Sequence, residues 1–149
     1  MYRANAGWVL GHRFLCLTHR GRRTGRRYRT VLEILAWEPA TREAIVISGF
    51  GRRANWYRNV LAGGAVEVEI ARECWLPRVR ALGPTEAVEV LADYERRNRP
   101  LTPVVRKVLS RLARIEYDGS PAARLAVVDA LPQVAFRPHD MGAAAEVAA

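Results

Sequence analysis

Residues 14–37 read FLCLTHRGRRTGRRYRTVLEILAW, two apolar stretches joined by a glycine- and arginine-rich connection. The first stretch alternates loosely, with Phe14, Cys16 and Thr18 set against Leu15 and Leu17, and predicts a strand over residues 12–18 with Cys16 in the core. The second, TVLEILAW, is dense in β-branched and large apolar side chains and predicts the returning strand over residues 30–37. Between them, residues 21–29 read as a long hairpin connection. After a turn at residues 39–41, EAIVIS at 43–48 predicts a third, central strand. Three such strands in succession form an antiparallel meander.

Beyond it, residues 48–59 (SGFGRRANWYRN) break the strand pattern with two glycines and then take up helical spacing. Trp56, Val60 and Leu61 are expected to point inward, and Gly63-Gly64 stops the helix. AVEVEIA at 65–71 alternates cleanly and predicts a strand with Val66, Val68 and Ile70 inward. Residues 74–82 continue as a fifth strand. Helices are expected over 84–98, 102–115 and 121–131, the second amphipathic and basic. QVAFR at 133–137 is the closing strand. Antiparallel strands with segregated helices argue for an α+β fold rather than a parallel sheet. Closure into a barrel removes the sheet edges. The chain has 149 residues, which suits one domain over residues 1–140. The alanine-rich residues 141–149 are expected to be a disordered tail.

Charge narrows the function. The net charge is +9, with 23 Arg and one Lys as the basic residues. Residues 1–60 carry 12 Arg against three acidic residues, whereas residues 61–149 carry 12 basic and 12 acidic residues. The whole excess lies in the first part, and six Arg stand between Arg20 and Arg29. Codon bias explains the scarcity of Lys but not this concentration, which attracts an anionic partner. Nucleic acid is disfavoured, because the aromatic residues do not interleave with the arginines as a stacking platform needs. No apolar run reaches the roughly 20 residues of a membrane span. His12 and Arg13 interrupt the first apolar stretch, which argues against a signal peptide and for a cytoplasmic protein. Cys16 and Cys74 have no metal-ligand spacing and are expected to be reduced thiols. No HExxH, CxxC or phosphate-loop motif is present, and the histidines lack a nucleophile context.

Two segments carry positive signals. In THRGRRTG (residues 18–25) a tight turn exposes backbone N–H groups, and its arginines can grip phosphate or carboxylate oxygens in pairs. Thr24 adds a hydroxyl. In residues 48–59 a glycine-rich loop leads into a helix start, and Trp56 and Tyr57 offer aromatic surface for a planar ring. Trp56 is equally readable as a packing anchor.

Together the two segments resemble the deazaflavin-dependent nitroreductase family, with its Thr-x-Gly-Arg-Lys/Arg-Ser/Thr-Gly turn and, about thirty residues later, a Ser/Gly-rich loop before Trp-Tyr-x-Asn. The resemblance covers roughly residues 8–82, with a closing strand near 131–138. It implies an antiparallel split β-barrel, FMN-binding split-barrel-like, with a short helix after the third strand and a helical segment before the last. It implies coenzyme F-420, a deazaflavin with a phosphate and a glutamate-rich tail, as the cofactor. The activity implied is hydride transfer from reduced F-420 to a quinone, nitro compound or activated alkene. The positions carried over are Arg22, Arg23, Thr24, Gly25 and Arg26 for the phosphate and tail, with Arg27 or Arg29 as alternatives in register. Val31, Gly49, Phe50, Asn55 and Trp56 fall near the ring. Arg52 or Arg53 stands in for a basic residue absent from the early loop. Tyr94 and Tyr117 are candidate substrate contacts and proton donors. FMN, less favoured because it lacks the acidic tail, remains open, as do a haem-derived or lipid ligand in the same fold and a basic nucleic-acid-binding domain.

Overall fold

A computed structural model describes residues 13–139. The expected start of the first strand at His12 and the expected tail at 141–149 lie outside these residues. Seven antiparallel strands form one sheet in the order β5-β4-β1-β2-β3-β7-β6. They are β1 (Phe14–Arg20), β2 (Arg27–Glu38), β3 (Glu43–Ile47), β4 (Ala65–Ile70), β5 (Glu73–Trp75), β6 (Pro77–Ala81) and β7 (Gln133–Pro138). Helix α1 (Asn55–Leu61) carries the chain from β3 to β4, and α2 (Pro84–Arg97), α3 (Thr102–Ala113) and α4 (Pro121–Ala130) lie between β6 and β7.

The expected single strand over 74–82 is two strands. Pro77 has no N–H to extend a ladder, and the chain changes partners there. β5 pairs with β4, whereas β6 pairs with β7 at the other end of the sheet. Only Leu76 separates the two edge strands, and its carbonyl accepts a hydrogen bond from His139 N at 2.8 Å. The sheet is thereby drawn almost closed into a split barrel.

β2 is shared between both halves of the barrel. Its first part pairs with β1 and its last part with β3, with a bulge between Ile34 and Ala36. Leu32, Ile34 and Trp37 join the barrel interior with Leu15, Leu17, Val46, Val68 and Phe136. The bulge turns Leu35 and Ala36 together to the outer face, where they pack with Ile45, Ala135 and Val90 of α2. A helix covering that face explains why β3 is apolar at every position from Ala44 to Ile47 while β1 and β4 alternate. Behind α2, the side chains of Leu109, Tyr117, Val127 and Leu131 build a second core. Cys16 is half-buried rather than interior, because Leu15 and Leu17 take the inward positions. Leu61 is 53% exposed, since Trp56, Tyr57 and Val60 already fill the inner side of the short α1.

Gly64 makes the connection from α1 to β4 feasible. A Cβ on it would lie 2.6 Å from the Arg20 carbonyl oxygen and 2.8 Å from that of Asn59. Both neighbours are backbone and neither can swing aside. Gly64 N donates to Asn59 O at 2.8 Å, and Gly64 O accepts from Arg20 N at 2.7 Å. Gly64→Ala is expected to destabilise the fold by about 1–3 kcal/mol through overpacking, measured by denaturant unfolding, whereas Gly83→Ala, where a Cβ meets nothing, is expected to be far milder.

Candidate functional site

The β1–β2 connection is shorter than its composition suggests. Arg20 pairs with Arg27, so Arg27 and Tyr28 belong to the strand and the turn is confined to residues 21–26. Gly21 N donates to Arg26 O at 2.7 Å and Gly25 N to Gly21 O at 2.9 Å. Gly25 holds the left-handed conformation (φ 72) that closes the turn. Thr24 Oγ1 accepts from Arg26 N at 3.3 Å, which leaves its hydroxyl proton for another acceptor.

The turn is bolted to α1 by one side chain. Asn59, buried at the end of α1, accepts at Oδ1 from Arg22 N at 3.0 Å and from Arg22 Nη1 at 2.9 Å. With the oxygen so engaged, the Asn59 amide N–H faces Nδ1 of buried His19 at 3.0 Å. His19 must accept there, so its proton sits on Nε2 and is donated to Thr30 Oγ1 at 3.0 Å. The Tyr28 ring stacks on His19 at 5.8 Å. Burial lowers the His19 pKa below its ordinary 6.5, in keeping with a network that has no place for a second ring proton.

Across from the turn, the loop after β3 is equally constrained. The Ser48 hydroxyl donates to Gly51 O at 2.6 Å. Gly51 holds φ 73 with a would-be Cβ 3.1 Å from Ala130 O. Turn and loop enclose a cleft of about 670 Å³, within the usual range of small-molecule sites. Of the residues expected at the site, Arg22, Arg23, Thr24, Arg29, Phe50, Arg53, Asn55 and Trp56 line it. Trp56 serves both readings. It is 7% exposed and packs in the barrel core, edge-to-face with Tyr57 at 6.0 Å, while still contributing to the cleft wall. Phe50 is 85% exposed.

The other expected residues stand elsewhere. Gly25, Arg26 and Gly49 do not line the cleft. Val31 is 68% exposed, paired with Cys16 across the ladder, and stands apart from the cleft wall. Arg52 turns to α4, donating to the Asp129 carbonyl at 3.2 Å and lying 3.9 Å from its carboxylate. Arg29 reaches the rim but pairs with Glu69 at 3.5 Å. Tyr94 and Tyr117 lie in the helical segment, donating to Glu33 at 3.1 Å and to Glu95 at 2.7 Å. Burial first, then these carboxylates, push both phenols up to about 12, which makes them weak proton donors at neutral pH. His19 and Asn59 were not expected at the site. The Asn was visible in the Trp-Tyr-x-Asn string, but its role depends on a contact 37 residues away in sequence.

Positive charge gathers at the cleft. Arg22 is held below its ordinary pKa by desolvation, then by Arg58 and Arg23, so like charges crowd there. Arg23 and Arg53 form no ion pair among the described residues. At seven residues, α1 has too little dipole to supply the field, and the guanidinium groups supply it. The linkage of His19 has a definite sign. A depressed histidine pKa contributes stability above the unfolded value of 6.5 that is lost as pH falls through the folded value. The melting temperature is therefore expected to fall from about pH 7.5 to pH 5, and to fall less in His19→Gln, measured by circular dichroism at each pH.

Comparison with known proteins bears on the same architecture. The Atu2129 protein of Agrobacterium tumefaciens, of unknown function, superposes with a TM-score of 0.52 at 16% identity, over 87% of this chain and 50% of its own. This chain thus spans half the length of that protein. A chain described as a domain-swapped dimer gives 0.52 at 14% identity, over 87% of this chain and 83% of its own. An F420-H2 dependent reductase (FDR-A) gives 0.49 at 16% identity, over 84% and 93%. At such identities the two superpositions at 0.52 speak for the fold alone. No curated protein sequence matches. The sequence model of the F420H(2)-dependent quinone reductases matches residues 1–103, which includes the arginine turn, the glycine loop and α1. That span is more than half of the 149 residues, and the chain belongs to the F420H(2)-dependent quinone reductase family.

Proposed function

We propose that the chain is a single-domain oxidoreductase that uses reduced F420 to reduce a small electron-poor acceptor, a quinone above all, or a nitro compound or activated alkene. The observation that carries this is the convergence of Arg22 and Arg23 from the turn and Arg53 from the loop on one cleft that Trp56 and Phe50 also line. The donor set suits the cofactor. Unpaired guanidinium groups match a phosphate and a run of carboxylates, and the aromatic pair offers a planar ring an apolar flank. When bound, the deazaflavin supplies the hydride; the protein binds, orients and excludes water. In this reading Arg22, fixed by Asn59, and Arg23 grip the tail. Thr24 donates its hydroxyl proton to a phosphate oxygen. Trp56, held by the barrel core, sets the angle of the ring, and exposed Phe50 closes against its face. A cytoplasmic location fits the two free thiols, Cys74 being exposed.

FMN has the phosphate without the carboxylate tail, so F420 is expected to bind more tightly in parallel fluorescence titrations. Equal or tighter FMN binding would sink the assignment. Raising salt from about 0.1 M to 1 M shortens the screening length from about 10 Å to 3 Å and should weaken F420 binding markedly.

Arg23→Ala is expected to lose roughly 1.5–3 kcal/mol of binding, about ten- to hundredfold in affinity. Its turnover at saturating cofactor should stay near the parent's. Trp56→Ala should lose turnover if Trp56 positions the ring and about 3–5 kcal/mol of stability as a core residue, so single-turnover kinetics and melting are measured together.

A further inference from the structure

Helix α3 begins where the family match ends and contributes nothing to the cleft. Leu101, Val104, Val108 and Leu112 follow one another at intervals of three and four residues, so they form one row along the helix. Such a row ordinarily packs inward. On α3 that task falls to Leu109, which is 7% exposed, with Val105 and Ala113 beside it, while Val104, Val108 and Leu112, and Leu101 in the turn just before the helix, remain 58%, 48%, 37% and 51% exposed. Lys107 and Arg111 border the row on its solvent side, with Arg99 and Arg114 at its ends. No acidic residue occurs from position 99 to 115. None of these four cations forms an ion pair among the described residues. The row does not stop at the helix end. Leu112 Cδ1 lies 3.6 Å from where a Gly49 Cβ would be, and the next residue is Phe50, 85% exposed on the cleft wall.

We propose that α3 docks the protein on an anionic phospholipid surface. The apolar row would lie at the boundary of headgroups and acyl chains, and Arg99, Lys107, Arg111 and Arg114 would lie against the phosphates. An apolar row edged by basic residues on a short helix is the pattern of a helix that lies in the interface. No helix of the described residues is long and apolar enough to cross a membrane, so the contact is peripheral. Charge selects the occupant. A second copy laid against the same row would set cation against cation, whereas anionic headgroups neutralise all four. Four modest side chains give little hydrophobic anchoring alone, so attachment depends on the charge of the lipid. Docking in this way brings Phe50 and the mouth of the cleft towards the surface in which apolar acceptors dissolve. That consequence rests on the redox reading; the docking itself does not.

The test is co-sedimentation of the full chain with vesicles of phosphatidylcholine alone or with about three parts in ten phosphatidylglycerol. Binding is expected to the anionic vesicles only, and to weaken about tenfold or more between roughly 0.1 M and 1 M salt. The pair Val104→Ser with Val108→Ser and the pair Lys107→Glu with Arg111→Glu should each cut binding about tenfold without lowering the melting temperature, since all four positions are exposed. The pair Arg26→Glu with Arg27→Glu, in and beside the arginine turn, should have a smaller effect than either helix pair. The proposal is overturned if the protein ignores anionic vesicles. It is overturned equally if only the Arg26/Arg27 pair abolishes binding. A third overturning result is that the Val pair converts a dimer to a monomer in analytical ultracentrifugation while leaving vesicle binding intact.

Discussion

The backbone at the end of β1 and the backbone at the end of α1 approach so closely that Gly64 leaves no space for a Cβ between Arg20 O and Asn59 O. This contact settles where α1 lies, and with it the site. It sets Asn59 within reach of both His19 and Arg22, so the arginine turn is held by a helix that the chain enters more than 30 residues later. The hydrogen bonds are directional in a chain: Arg22 occupies the Asn59 oxygen, the Asn59 amide then specifies the acceptor face of His19, and His19 donates to Thr30. A buried network in which every member is satisfied fixes geometry, and a single extra proton leaves two donors facing each other.

That network lies beside a crowd of like charges. Desolvation first, then neighbouring Arg58 and Arg23, hold the Arg22 guanidinium below its ordinary pKa, and a flexible turn would let that side chain move away into solvent. Held in place by Asn59 and the β1–β2 ladder, Arg22 would meet the proposed anionic cofactor already positioned, with the cost of ordering the side chain met by folding rather than at binding. Arg52 shows the alternative fate. One residue from Arg53, it swings away to Asp129 and the end of α4, neutralised by the helical segment and removed from the cleft.

The helical segment has a different physical role on each side. Its inner helices cover the outer face of β2, β3 and β7 and so allow those strands to be apolar on both faces. Its α3 covers little and leaves an apolar row in solvent. The loop after β3 runs close to the end of α4 at Gly51 and to Leu112 of α3 at Gly49.

Periodicity and charge were enough to read the α+β class, the opening three-strand meander, the arginine-rich turn and the glycine loop before Trp56, because these depend on neighbours within a few residues. Alternation in residues 65–71 named Val66, Val68 and Ile70 as interior; Val68 and Ile70 are, whereas Val66 is only half-buried. What failed depended on distant partners. Cys16 alternates as a core residue should, yet Leu15 and Leu17 hold the inner face because the β2 and β4 ladders set the strand's rotation. Pro77 marks a break in the fifth strand, but only closure against β7 shows why the chain changes sheets there. Six arginines in ten residues announced an anion site, whereas the choice among them awaited the ladder register and the reach of Asn59. Sequence alone determined how much charge this protein gathers and on which turn; tertiary structure decided which guanidinium groups face the cleft, because side-chain direction follows from long-range backbone pairing that no local pattern encodes.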